Sequence, residues 1–322
     1  MRGWILLKEP MAESLPYGTR RLIEAGAQRG LEICVLKPDQ FELVVTRDDR
    51  RSICVDHAEV ELPDFLLPRM GAATTYFALA VIRQLERLGV HTFNTSVGIE
   101  TVKDKLYSQQ ILAQSNLPVP KTMLAKFPVD VDLVERVIGF PVVVKAIHGS
   151  QGSGVFLCDG RQNLQDLMEM IRVTQANANI IFQEFIECSR GRDVRVMVVG
   201  GRVVAAMERR ATGDNFKANY HQGGVVLPFP ITKEVEWLAL ESTRLLNLDI
   251  AGIDLLFDGE HFKVCEANSA PGFEGLERCS PVSIADEILD FVSVRIGCFD
   301  QLKPDLEQPK ERPWQVSSLL QL

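Results

Sequence analysis

Asp254, Glu266 and Asn268 interrupt two apolar runs joined by Asp258-Gly259. The runs read as a hairpin, and these three polar residues stand where a buried strand pair should be apolar. A three-residue loop, Asp258 to Glu260, sets Leu256 opposite Phe262 and Asp254 opposite Val264. Glu266 then becomes a diagonal neighbour of Asp254, and Asn268 lies two residues further along the same face. A two-residue loop would split Asp254 and Glu266 across opposite faces. Two carboxylates and an amide oxygen on one face suit a hard cation such as Mg²⁺, which takes its other ligands from phosphates and water. The competing reading is a solvated hairpin with its polar residues outward. Strand alternation turns Cys265 away from the carboxylates, as a buried thiol and not a nucleophile.

Lys145 closes the otherwise apolar run Phe140-Pro-Val-Val-Val-Lys145. A lysine there is costly unless it meets an anion. The loop that follows, Gly149-x-x-Gly152-x-Gly154, joins two strands. It is neither a P-loop nor a dinucleotide fingerprint, and alone it reads as a flexible turn. Beside a positioned lysine, however, its amides can hold phosphate oxygens. Lysine, glycine loop and cation site together suit phosphoryl transfer from ATP. No Ser-His-Asp or Cys-His arrangement accompanies them.

The 322 residues are 46% hydrophobic and 24% charged, which bounds a globular chain of two or more domains. The net charge of −8 argues against nucleic acid as a partner. The run Trp4–Leu7 is too short for a signal peptide and reads as a first strand. No apolar stretch reaches bilayer length. Seven scattered cysteines without a Cys-x-x-Cys pair suit reduced thiols in the cytoplasm.

Four segments follow from the pattern. Residues 1–98 are an α/β unit, with strands at Trp4–Leu7, Leu31–Leu36 and Phe65–Arg69 and helices at Thr19–Arg29 and Thr74–Leu88. Residues 99–186 hold a linker helix, Val102–Ser115, then strands and helices around Lys145, with a helix at Val131–Val137 and another at Leu164–Thr174. Residues 187–297 hold a hairpin over Gly200-Gly201, the helix Lys233–Leu246, the polar hairpin and the helix Ile284–Ile296. Residues 298–322 are expected to be an extended tail.

In this order the chain resembles the ATP-grasp superfamily, and within it the RimK-type glutamate ligases. The resemblance covers about residues 60 to 290. It is carried by Pro68-Arg69-Met-Gly71, Lys103-Asp104-Lys105, Val143-Val-Lys145 with Gly149–Gly154, and Gln183-Glu184-Phe-Ile. It continues through Gly191-Arg-Asp193-Val-Arg195, Val199 to Arg210, Asn219-Tyr-His221, Glu266-Ala-Asn268 and Pro271-Gly-Phe-Glu-Gly275. The resemblance implies an α/β fold of three parts: an N-terminal pre-ATP-grasp domain, a central lid and a catalytic subdomain, with ATP between the last two. By position, Lys105 and Lys145 contact ATP phosphates. Gly149, Gln151, Gly152, Ser153 and Gly154 close over them. Glu184, Phe185 and Ile186 form the hinge that reads adenine, and Asp193 lies near ribose. Asp254, Glu266 and Asn268 bind two Mg²⁺ or Mn²⁺ ions. Arg195, Arg209 and Asn219 act at the γ-phosphate and acyl-phosphate. Lys217 stands where an arginine is expected, and a lysine lacks bidentate phosphate geometry. The implied reaction is amide formation through an acyl-phosphate, with glutamate added to a carboxyl end, a protein C-terminus or a growing poly-glutamate. Other glutamylating or lysine-biosynthesis-like ligases, and a small-molecule kinase, are the alternatives. A homo-oligomer is expected.

Overall fold

The computed structural model describes residues 1–8, 15–45, 52–146, 154–174, 179–213, 215–216, 218 and 224–297. The first apolar runs are β-branched or leucine-rich on both faces, and they form a parallel sheet. Its strands are β1 (Arg2–Leu6), β2 (Glu32–Leu36), β6 (Phe65–Pro68) and β7 (His91–Thr92), in the order β2-β1-β6-β7. Alternation along β1 sends Ile5 towards α1 (Tyr17–Gln28) and Trp4 and Leu6 towards α2 (Tyr76–Arg87). A small antiparallel sheet, β3 (Phe41–Leu43), β4 (Ile53–Val55) and β5 (Ala58–Glu59), sits between β2 and β6 in sequence. The run Val102–Ser115, expected as one helix, is the end of α3 (Ser96–Lys103) and all of α4 (Lys105–Gln114). Asp104 divides them. Its backbone is extended, and its carboxylate accepts from the Leu106 and Tyr107 amides at 3.0 Å, an N-cap that starts a new helix.

The middle of the chain builds a separate antiparallel sheet. It contains β8 (Thr122–Lys126), α5 (Val131–Val137), β9 (Val142–Ala146), β10 (Val155–Cys158), α6 (Arg161–Thr174) and β11 (Asn179–Glu184). The strand order is β10-β9-β11-β8, and α5 and α6 cover one face with Val134, Leu164 and Met168. This core draws only on residues of the middle segment.

The last part is a five-stranded antiparallel sheet in the order β14-β13-β12-β15-β16. Its strands are β12 (Arg192–Val199), β13 (Arg202–Arg210), β14 (Val225–Pro228), β15 (Ile250–Asp258) and β16 (His261–Asn268), with α7 (Lys233–Leu245) between β14 and β15. Gly200 and Gly201 take φ of +57° and +74°, which the tight β12–β13 turn requires. One face packs under α7 through Val194, Val196 and Val198. Met197 and Met207 face α8 (Glu274–Cys279) and α9 (Ile284–Arg295) and join one continuous core with Ile5, Leu22 and Phe65 of the first sheet. The first and last sheets thus share a core, whereas the middle sheet has its own. Among the described residues no helix is long and apolar enough to cross a membrane.

Candidate active site

The polar hairpin reaches its geometry by an unexpected route. Its loop is two residues, Gly259-Glu260, so Leu256 faces Lys263 and not Phe262, and Leu255 instead of Asp254 faces Val264. Gly259 has φ +66°, the conformation a two-residue turn demands. A continuous ladder would then put Cys265 opposite Asp254. A β-bulge between Asp254 and Leu255 absorbs one residue, and Asp254 pairs with Glu266 across the strands. Asn268 follows opposite Gly252, its Nδ2 lying 3.5 Å from Asp254 Oδ2. The three oxygen-bearing side chains therefore share one face, as expected, but as direct neighbours. Glu266 makes no ion pair among the described residues. The donors are all oxygen and fit a hard cation that keeps phosphate and water ligands. Among the described residues no group of three or more His, Cys, Asp or Glu is arranged to hold a metal ion.

The bulge also corrects the placement of Cys265, which lines the same cleft as Glu266 instead of turning away from it. Burial pushes its thiol pKa up, against the pull of Lys145, so it stays protonated and is a poor nucleophile.

Two arginines flank Asp254. Arg195, directly across on β12, donates from Nε and Nη2 at 2.8 and 2.7 Å. Arg209 binds Asp193 bidentately at 2.6 and 2.7 Å and reaches Asp254 Oδ2 at 3.0 Å. Arg209 and Asp254 are only 5% and 7% exposed, so these charges depend on one another. Burial would raise the Asp254 pKa, but Arg195 and Arg209 outweigh it and hold the carboxyl at about 2. Burial pushes Asp193 upward against the pull of Arg209.

A cleft opens between α4, the middle sheet and β16, lined by Lys105, Gln109, Lys145, Gln183, Cys265 and Glu266. Lys105 begins α4, and Lys145 donates to Gln183 Oε1 at 2.6 Å. Neither lysine has a carboxylate partner among the described residues. Gln183 is anchored in turn by donating to Thr122 Oγ1 at 3.0 Å. Gln109 donates to the carbonyls of Cys265 and Val264, at 2.8 and 3.4 Å, and so holds the bulge from α4. Its Oε1 is buried without a hydrogen-bond partner among the described residues. Thr122 and Gln109 were absent from the sequence reading, and Gln183 entered it only within the run Gln183-Glu184-Phe-Ile, without a role. Only Gln183 left a signal there: a polar residue ending the apolar run Ile-Ile-Phe, as Lys145 ends its own.

At the end of β11, Glu184 accepts from the Lys121 amide at 3.0 Å and pairs with Lys263 at 3.2 Å. Phe185 lies under the Arg190 guanidinium, 4.7 Å from the ring centroid, and Ile186 is buried. Gly154 precedes β10 with φ +73°. Gly149, Gln151, Gly152 and Ser153 lie outside the described residues, as do Lys217, Asn219 and the tail 298–322.

A small antiparallel lid facing a larger antiparallel sheet, with lysines and an oxygen-donor face between, defines an ATP-grasp protein. Residues 102–292 match the RimK-like ATP-grasp domain and residues 1–99 the RimK pre-ATP-grasp domain, so the chain belongs to the RimK-like ATP-grasp family. A "Probable alpha-L-glutamate ligase" of Trichodesmium erythraeum is 38% identical over 282 residues, 87% of this chain and 93% of that protein. Among solved structures, the ATP-grasp ligase PsnB complexed with a minimal precursor aligns with a TM-score of 0.70 at 20% identity, covering 90% of this chain and 98% of that one. A RimK domain protein from Sphaerobacter thermophilus aligns with a TM-score of 0.69 at 20% identity, covering 89% and 98%.

Proposed function

We propose that the protein adds L-glutamate to a carboxyl end in an ATP- and Mg²⁺-dependent ligation. The observation that carries this is the cleft itself. Two lysines without carboxylate partners among the described residues line one cleft with Glu266, which pairs across the strands with Asp254, and this suits a nucleotide triphosphate chelating a hard cation. The glutamate assignment is supported by the name of the relative at 38% identity, and a peptide acceptor by the PsnB complexes with precursor peptides. The family membership supports an acyl-phosphate route.

In that route a substrate carboxylate attacks the γ-phosphorus and releases ADP. An amine then attacks the acyl carbon and expels phosphate. Lys105 and Lys145 hold phosphate oxygens, and the backbone of Glu184 to Ile186 borders the adenine. A bound Mg²⁺ or Mn²⁺, held by Asp254, Glu266 and Asn268, would offset charge on the transferring group. Arg195 and Arg209 orient Asp254 towards that face and present their remaining N–H groups to the oxyanion of the acyl step. The cytoplasm is the compartment that supplies ATP and glutamate and keeps the cysteines reduced.

The test is incubation with ATP, Mg²⁺, single amino acids and a peptide with a free carboxyl end, followed by mass spectrometry. A new amide with stoichiometric ADP and phosphate is the expected result. A stable phosphoester would replace this reading with a kinase.

A further inference from the structure

Arg69 takes no part in the chemistry above. It is the first residue beyond β6, at the carboxyl edge of the parallel sheet. From β1 the chain crosses by α1 to β2 on one side, whereas β6 lies on the other side and feeds α2 on the opposite face. The strand order therefore reverses between β1 and β6, and open parallel sheets bind ligands in the crevice outside the strand ends at that point.

The guanidinium donates through Nη2 to the Pro271 carbonyl at 2.6 Å and lies over the Phe273 ring, 5.6 Å from its centroid. No carboxylate pairs with it among the described residues. Burial draws its pKa down to about 10, with no neighbouring charge opposing that effect. Other partly buried arginines are neutralised: Arg21 by Glu277, Arg29 by Asp286 and Asp290, and Arg195 by Asp254. Helix α1 adds positive potential, since its first turn has no side-chain cap and no acidic residue, and a Cβ on Gly18 would lie 3.4 Å from Arg69 Nη2. Pro271 links this place to the reaction centre. It packs over Gly252, where a Cβ would lie 2.7 Å from Pro271 Cβ and 3.7 Å from Arg195 Nε.

A partly desolvated cation without a counter-charge among the described residues is unfavourable in the free protein. A planar guanidinium fits a carboxylate with two parallel donors. We infer that Arg69 binds a carboxylate of the incoming amino acid that is not consumed in the bond being formed. Naming that amino acid as glutamate rests on the proposed function.

Calorimetric titration of the full chain with glutamate, in the presence of ADP and Mg²⁺, tests this. Arg69→Gln should weaken glutamate at least tenfold and leave ATP affinity within twofold, with Arg69→Lys intermediate because it keeps charge without the fork. A lowered melting temperature with unchanged glutamate affinity would make Arg69 structural and overturn the assignment. If Arg69→Gln fails to fold, Arg69→Lys decides by the same comparison. If the wild type ignores glutamate, succinate and N-acetylglutamate serve as probes. Arg69-dependent binding of either keeps the site and removes glutamate from the proposed function. No Arg69-dependent carboxylate binding at all overturns the inference.

Discussion

At the residue scale, the charges around Asp254 divide into those the fold needs and those it does not. Arg209 is buried against Asp193 and Asp254. Arg209→Ala leaves Asp193 without its arginine and Asp254 with Arg195 alone, and should cost about 3–5 kcal/mol, as removal of one member of a buried ion pair does. The measurement is the urea midpoint with the m-value checked for constancy. Ligation should fall further than ATP binding in the same variant. Lys145 contrasts with it, since among the described residues its ammonium meets only the Gln183 amide. Lys145→Ala should weaken ATP binding at least tenfold while leaving the melting temperature of the free protein unchanged or slightly raised, and calorimetry with thermal melts decides. Glu266 is half-buried and makes no ion pair among the described residues. Glu266→Ala should therefore keep the fold and lose Mg²⁺-dependent turnover. A well-folded variant with normal turnover would remove Glu266 from the cation site.

At the element scale, the bulge in β15–β16 decides which side chain faces Asp254. Gln109 on α4 binds both carbonyls beside it, so helix and hairpin are joined at the point that sets the cation face. Gln109→Leu leaves those carbonyls unsatisfied and should cost about 1–3 kcal/mol. It should also raise the Mg²⁺ concentration needed for half-maximal ATP turnover, because Glu266 loses its fixed register. A magnesium titration of turnover beside urea unfolding separates the two effects. Stability loss with an unchanged magnesium requirement would limit Gln109 to packing. The break between α3 and α4 matters for the same reason: Asp104 starts a fresh helix, and its first residue is Lys105.

At the scale of the whole molecule, a core shared between sheets and a core confined to one sheet predict two levels of opening. Phe65 and Ile288 belong to one core spanning the N-terminal and catalytic parts, while Phe182 belongs to the core of the middle sheet alone. Phe182→Ala should cost about 3–5 kcal/mol locally. Hydrogen exchange should then show faster exchange across residues 122–184 and little change elsewhere. Phe65→Ala should instead loosen the first and last sheets together. A uniform response in both variants would mean that the three sheets unfold as one unit. A lid with its own core can move over a nucleotide without disturbing the sheet that bears Asp254 and Glu266.

Much of this protein was legible from local pattern. Alternating apolar runs and helical periods mark the parallel sheet, the Gly200-Gly201 hairpin and the helices, because burial on one face leaves a fixed spacing in sequence. Polar residues in apolar strands likewise mark Lys145, Asp254 and Glu266, since such residues are costly without a partner. Register was not legible. One residue of bulge reverses strand parity, and the loop length inferred for the hairpin was wrong while the shared face was right. Nor could the sequence say which counter-charge each arginine meets. The pairing of Arg209 with Asp193 and Asp254, and the absence of a carboxylate partner for Arg69 among the described residues, depend on strands brought together from distant parts of the chain. Residue types and periods are local properties, so the sequence by itself determined the elements and the kind of chemistry. Register and charge pairing are long-range, so only the tertiary structure decided them.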